Sequence, residues 1–499
     1  MKMNLAAMIK YVKQSARSVA DATSPYAYLG SRLPRVGSAL VRLTLFPVLQ
    51  WRWHPSAYRY MREFRKYEYA PIETIRAVQW QRLKDLLQHA TEHVPYYREL
   101  FRNEGISVAD IRSPEDFARI PVLSKAALRD LGGDMCADNV KPQALQLNAS
   151  GGSTGKPVRF YQDARYWDYA LASQWFVEGW WGIRPGDSTA SIWGTDRDLP
   201  SLHWKERLAG KICQLKICNA FALSENRLEE FARELNRWQP RFVIGYASAL
   251  YLFARFLRAR PSLAIRPTAV KSTAEVLSDE ERAVIEEAFQ CPVYNFYGSR
   301  EVNNLAAECQ ARNGLHVNAL TRYLEVTDEA GQSLRPGIPG KVLVTDLTNY
   351  AMPFVRYENE DIASWNDTPC SCGRPFPRLA GILGRKSDFI VTSDGKLIHG
   401  EFFTHMFYAN PHVAQFQILQ DSPQSVRMRV VLLPGAADSL MESLRRRLGE
   451  VLGQGVNCNV EVVERIEAPP SGKHRFAVSS VPIPWGVKTR SPGTTDGGQ

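Results

Sequence analysis

Residues 149–158, "ASGGSTGKPV", place Ser150, Gly151, Gly152, Ser153, Thr154 and Gly155 directly before Lys156 and Pro157. Glycine is conformationally free and serine and threonine favour caps and turns, so this run is neither helix interior nor strand. A turn of this kind aims several backbone N–H groups at one anion, and Lys156 adds a point charge, which makes phosphate the natural guest. The nucleoside-triphosphatase loop does not fit. It asks for Gly where Ser150 stands, and for a magnesium-binding hydroxyl where Pro157 follows the lysine.

Four further segments carry groups suited to a phosphate site. "NFYGSREV" supplies Tyr297 and Gly298 at a strand end and Glu301 four residues after the tyrosine. "FVRYENEDIA" supplies Asp361, "GRKSDFI" supplies Arg385, and "PPSGKHRF" supplies Lys473 on a Ser-Gly turn. Each alone reads as a solvated charge, and it is their order that is specific. A second set is soft: Cys309 and His316 lie seven apart, and Cys370-x-Cys372 follows in "TPCSCGRPFP". Three thiolates and an imidazole suit tetrahedral zinc, with buried free thiols as the alternative.

The elements that position these groups follow from periodicity. "IRAVQWQRLKDLLQHATEHVPYYRELF" has helical spacing up to Val94-Pro95, where the proline ends it. Strand runs "RFVIGYAS", "CPVYNFYG" and "GKVLVTDLT" alternate with helical stretches such as "LSDEERAVIEEAF", which means an α/β body. Beyond residue 384 the chain starts afresh with "DFIVTSDGKLIHG", whose Asp394-Gly395 signals a hairpin. Two more strand runs, "AQFQILQ" and "SVRMRVVLL", and a helix in "DSLMESLRRRLGEVLG" then make a separate α+β domain.

The chain has 499 residues and a net charge of +10, and +9 of this falls in residues 1–70. The nearly neutral remainder argues against a broad nucleic-acid surface. The basic head also holds "LVRLTLFPVLQWRWHPSAYRYMREFRKY". One reading is a docked pair of N-terminal helices, and the other is contact with anionic lipid at the inner face of a membrane. Eight cysteines over this length make no dense disulfide framework. No uncharged apolar run reaches the roughly 18 residues of a membrane span, and no secretory leader is evident, so a cytoplasmic protein is expected.

Taken in order, these motifs resemble the adenylate-forming superfamily, and within it the phenylacetate-coenzyme A ligase family with its branch linked to capsular polysaccharide synthesis. The resemblance implies a large α/β N-terminal domain of mixed sheets and helices and a small, mobile α+β C-terminal domain. The boundaries it suggests are 71–384 for the adenylating domain and 385–485 for the mobile domain with its hinge at 384–388, while charge and composition set apart 1–70 as a basic aromatic segment and 486–499 as a disordered tail. It implies that residues 150–156 embrace the ATP phosphates, with Ser153 and Thr154 as hydroxyl donors. Tyr297 and Gly298 then lie by the adenine, Glu301 near Mg2+, Asp361 on both ribose hydroxyls, Arg385 on ribose or phosphate, and Glu275 on a segment lining the acyl pocket. Lys473 would span the carboxylate and the α-phosphate during adenylation. Small-molecule acid, ATP, Mg2+ and zinc are the implied ligands. The stretch "TSDGKLIHGEFFTH" departs from the coenzyme A ligases, so the acceptor is either coenzyme A or a hydroxyl or amine of a sugar or glycan.

Overall fold

The computed structural model of the chain describes residues 41–149, 158–193, 212–218, 220, 225–385, 389–392, 397–399, 403, 412–433, 439–453, 455–467 and 476–481. Helices α1 (Leu45–Trp53), α2 (Ala57–Tyr67), α3 (Ile72–His93) and α4 (Pro95–Asn103) open the described chain. The helical run breaks where the sequence predicts, because Val94 before Pro95 takes extended backbone and the proline then starts α4. Short helices α5 (Pro114–Phe117) and α6 (Lys125–Leu131) lead to a hairpin of β1 (Gln146–Ala149) and β2 (Arg159–Gln162). Residues 150–157 join these two strands and lie outside the described residues.

The body is an eleven-stranded sheet whose order is β10-β11-β12-β13-β9-β8-β7-β6-β5-β3-β4. Its parallel half comprises β3 (Thr189–Ile192), β4 (Leu215–Cys218), β5 (Phe242–Tyr246), β6 (Ala269–Thr273) and β7 (Val293–Ser299). The antiparallel half comprises β8 (Asn303–Glu308), β9 (Leu315–Val317), β10 (Arg322–Thr327), β11 (Gly340–Asp346), β12 (Tyr357–Asn366) and β13 (Arg378–Arg385).

Helix α7 (Ala164–Trp180) packs on one face of the parallel half, while α8 (Glu225–Trp238), α9 (Ala247–Arg258) and α10 (Asp279–Phe289) pack on the other. The pleat divides the strands accordingly. Phe242, Ala269 and Tyr294 meet Trp175, Phe176 and Trp180 of α7, whereas Val243, Val270 and Val293 meet Leu250, Phe253 and Phe289. Ser278 and Glu281 close a capping box at the start of α10, the signature carried by "LSDEE". Helix α2 docks on α7 through Phe64 against Phe176, Tyr60 stacked on Tyr169, and His54 Nδ1 at 3.0 Å from Asp168 Oδ1. The described part of the basic head is therefore a docked helix pair, although Leu43, Leu45, Val48 and Trp51 on its outer side stay more than half exposed.

After β13 come β14 (Phe389–Val391) and β15 (Leu397–His399), an antiparallel pair. A four-stranded sheet follows, of β16 (Val413–Ser422), β17 (Ser425–Leu432), β18 (Asn457–Val462) and β19 (Ala477–Ser479), with helix α11 (Ser439–Leu452) packed on it. This is the small α+β unit that the sequence predicts. Lys473, the hinge residues 386–388 and the tail 486–499 lie outside the described residues.

Candidate active site

The carboxyl ends of parallel strands in an open α/β sheet are where ligands bind, because loops diverge there and leave a crevice. Tyr297 lies near the end of β7 and Asp361 in β12, and the sheet brings them into contact. The Tyr297 hydroxyl donates to Asp361 Oδ2 at 2.8 Å, and Asn359 Nδ2 donates to the same oxygen at 2.9 Å and to the Tyr297 hydroxyl oxygen at 2.6 Å. Two side chains, themselves hydrogen-bonded to each other, thus fix one carboxylate edge. In the backbone register of β12 and β13, residue Arg385 stands opposite Asp361.

Glu301 follows the turn after β7 and is 6% exposed, a rare setting for a carboxylate unless it is held. The Tyr357 hydroxyl donates to its Oε1 at 3.3 Å, and Lys125 Nζ lies 3.8 Å from the same oxygen. Burial first, and then Glu301 and the neighbouring carboxylates, hold the Tyr357 phenol well above its ordinary value, so it stays a donor. Oε2 of Glu301 meets no donor among the described residues, which leaves one carboxylate oxygen with acceptor capacity.

The turn itself is tightly determined. A Cβ on Gly298 would stand 2.7 Å from Asn303 O, so only glycine lets the two backbones approach. Arg322, buried in an ion pair with Asp346 at 2.8 Å, donates its Nε to Val302 O at 2.7 Å. Gln162 of β2 donates to Glu301 O at 3.2 Å, and Arg300 Nη1 to Ala149 O of β1 at 3.4 Å. Both strands that flank the 150–157 loop are therefore tied to the segment that carries Glu301. Left-handed backbone at Ala274, Asn303 and Glu360 concentrates around the same mouth, as strain often does at functional sites. Glu275, beside Ala274, accepts from Ser248 N at 2.9 Å and so caps α9.

Sequence reasoning missed Asn359, Tyr357 and Lys125. Asn359 stands two residues from Asp361 and could have been read with it. Lys125 lies far away in sequence, behind a Ser124 cap, and nothing local marks it.

The sulfur and nitrogen atoms of Cys309, His316, Cys370 and Cys372 all lie within 4.8 Å of one another. Cys309 Sγ is 3.6 Å from Cys370 Sγ, and Cys372 Sγ is 3.3 Å from His316 Nε2. Tetrahedral zinc with thiolates at about 2.3 Å sets its sulfurs roughly 3.8 Å apart, so the four atoms already approach the right spacing. His316 Nδ1 lies 3.3 Å from Phe376 O, the arrangement that leaves Nε2 as the ligand nitrogen. Burial lowers the His316 pKa to about 4, which keeps the imidazole neutral and able to ligate. Burial pushes the Cys309 thiol up to about 12, a preference that a bound cation would reverse. Cys309 follows β8, His316 sits in β9, and the other two cysteines precede β13, so pairing of these three strands assembles the set.

A family model described as "CapK C-terminal domain" matches residues 390–480. Protein CapK of Staphylococcus aureus is 24% identical over 432 residues, covering 84% of this chain and 93% of that protein. A phenylacetate-coenzyme A ligase of Thermus thermophilus is 28% identical over 338 residues, covering 65% of this chain and 73% of the ligase. In fold, the chain is similar to the crystal structure of 2-hydroxyisobutyryl-CoA ligase in the postadenylation state in complex with R3-HIB-AMP. The two agree with a TM-score of 0.64 at 24% identity, over 83% of this chain and 91% of that one. With a mixed sheet, a small C-terminal sheet whose residues match the CapK C-terminal domain, and the Tyr297–Asp361 mouth in one chain, the protein shares the fold of the adenylate-forming ligases and is a distant relative of CapK and the phenylacetate-coenzyme A ligases.

Proposed function

We propose that the chain activates a carboxylic acid as its acyl-adenylate, with ATP and Mg2+, and transfers the acyl group to coenzyme A. The observation that carries this reading is the Tyr297–Asn359–Asp361 set, hydrogen-bonded at the end of the parallel strands beside buried Glu301. Asp361, oriented by two donors, accepts from the ribose hydroxyls, with Arg385 near ribose or phosphate. Tyr297 and Gly298 border the adenine, and Glu301 holds Mg2+, which offsets charge on the phosphates. Ser150, Gly151, Gly152, Ser153, Thr154, Gly155 and Lys156 wrap the phosphates from a hairpin whose two strands bond to the Glu301 segment.

A carboxylate attacking phosphorus brings two anions together, so N–H donors and cations must offset the charge that develops. Lys473 supplies the cation between carboxylate and α-phosphate. Residues 385–485 form the part that carries it, turning about 384–388 so that the same lysine leaves before the acceptor enters. Glu275 acts from the pocket wall, by capping α9. Zinc at Cys309, His316, Cys370 and Cys372 is structural, since all four positions of a tetrahedron are protein groups and none is left for a substrate.

The similarity to CapK over 84% of the chain supports a second acceptor, a sugar or glycan hydroxyl or amine. Acid-dependent pyrophosphate release tests adenylation, and chromatography for acyl-CoA against acylated glycan separates the acceptors. No acid giving pyrophosphate release across a broad screen would overturn the reading. The eight free cysteines support a reducing, cytoplasmic setting. Among the described residues no helix is long and apolar enough to cross a membrane. Exposed Leu45, Val48 and Trp51 beside the basic head support peripheral contact with anionic lipid. Changing these three to serine should abolish liposome flotation, and unchanged flotation would remove that contact.

A further inference from the structure

Between α7 and the parallel strands lies a cavity of about 130 Å³. That is close to the size of a cavity that takes a benzene ring. Thr273, Arg300 and Asn303 line it near the Tyr297 and Glu301 turn, and Trp175, Phe242 and Phe296 give it apolar walls. Polar residues line it as well, and one of them is a buried cation. Lys271 lies two residues before Thr273 on the same face of β6, roughly 7 Å deeper at strand spacing.

Lys271 is 4% exposed, and its Nζ donates to Glu178 Oε1 of α7 at 2.9 Å. Gln174 Nε2 donates to the same oxygen at 2.7 Å, so Glu178 is held from two sides. The ammonium also lies 4.5 Å from the Phe296 ring centroid. An ammonium has three N–H donors, and among the described residues one carboxylate oxygen accepts from it. Donor capacity therefore remains on a buried cation in the cavity wall. The pair with Glu178 is already neutral, so a second carboxylate brought alongside would be an uncompensated buried charge. A neutral oxygen would not be.

We propose that Lys271 is a specificity residue: the acid that fills this cavity carries a neutral hydrogen-bond acceptor, a hydroxyl or carbonyl oxygen, remote from its reacting carboxylate and within reach of the Lys271 ammonium. The proposal rests on the adenylation reading above, and names the class of acid for that site. An acid without the acceptor leaves the ammonium's donors unpaired in an apolar wall, which is how a polar site rejects an apolar analogue.

The test compares 4-hydroxyphenylacetate with phenylacetate, and 5-hydroxypentanoate with pentanoate and with the dianion adipate. The readout is kcat/KM for pyrophosphate release by the full-length protein. At least one hydroxylated acid should exceed its deoxy partner by about 100-fold or more, and adipate should be rejected. In Lys271→Met the ratio should collapse to near one, through loss on the hydroxylated acid and gain on the deoxy acid. Because Lys271→Met strands a buried carboxylate, Lys271→Met/Glu178→Gln serves as the second variant, with its melting temperature measured. A pair that merely ties α7 to β6 would alter stability and leave the ratio alone.

Trp175 and Trp193 line the cavity, so quenching of tryptophan fluorescence by the same acids reads binding without ATP. Discrimination in fluorescence without pyrophosphate release would overturn the adenylation reading and keep this one. Equal response to both members of each pair, no response to either hydroxylated acid, or an unchanged ratio in both variants overturns the role of Lys271.

Discussion

The Cys309/His316/Cys370/Cys372 set and the Lys271–Glu178 pair are both buried polar groups beside α7, and they differ in what they leave unmet. In the cysteine set, four ligand atoms within 4.8 Å face one another and define a single point between them. In the other, a neutral pair keeps donor capacity directed at a cavity. A closed donor set holds strands together, whereas an open one is available for recognition. The same contrast runs along β8 and β12. Glu301 precedes β8 and Cys309 follows it, while Asp361 lies within β12 and the two other cysteines follow it. One end of these strands carries the four sulfur and nitrogen ligand atoms, and the other carries the Glu301 and Asp361 carboxylates.

Metal removal should break the comparison most severely. Purified protein should hold close to one equivalent of zinc, and Cys370→Ser should lose it together with several kcal/mol of apparent stability. Less than a third of an equivalent in protein purified without chelators would show the thiols to be simply buried. Next, Lys473→Ala should lower pyrophosphate exchange by roughly 100-fold or more while transfer from supplied acyl-AMP survives. Exchange at the wild-type rate would sink both this lysine's role and the domain rotation.

A smaller effect is expected from acid on chelator-treated protein. Burial lowers the folded-state pKa of His316 to about 4, below the ordinary value of 6.5, so the unfolded chain binds its proton first. The stability that results is complete above about pH 6.5 and is lost as pH falls toward 4. Between pH 7 and pH 5 the loss should be about 2 kcal/mol, read from denaturant midpoints. Zinc-loaded protein should resist acid over that range, and equal sensitivity of both forms would separate His316 from the metal. The mildest change is Tyr297→Phe, which removes one of two donors to Asp361 Oδ2. Loss of roughly 1 kcal/mol would raise the KM for ATP several-fold with kcat nearly unchanged. A fall in kcat instead would mean that the phenol acts on the reacting phosphate.

The sequence by itself determined the α/β alternation, the break at Val94-Pro95, the helix in "LSDEERAVIEEAF" and a small α+β unit toward the C-terminus, and it singled out Tyr297, Glu301 and Asp361, which the fold gathers at one mouth. Periodicity, proline geometry and caps are local rules, so they can be read along the chain. The pairing of Cys309 and His316 with Cys370 and Cys372 was legible as chemistry, because thiols and imidazole have few other reasons to recur at such spacing. Tertiary structure alone decided which side of the pleat each strand residue faces. The cavity beside α7 is lined by Ile244, Lys271 and Thr273, and nothing along β5 or β6 marks these positions out. Lys271 in "AVKST" reads as a surface charge until α7 is laid across it. Its partner Glu178 sits 93 residues earlier in a helix whose buried residues fall on nearly every side. Nothing in either segment encodes that meeting, because a buried ion pair is stable only where packing has already excluded water from both groups, and that exclusion belongs to the assembled fold.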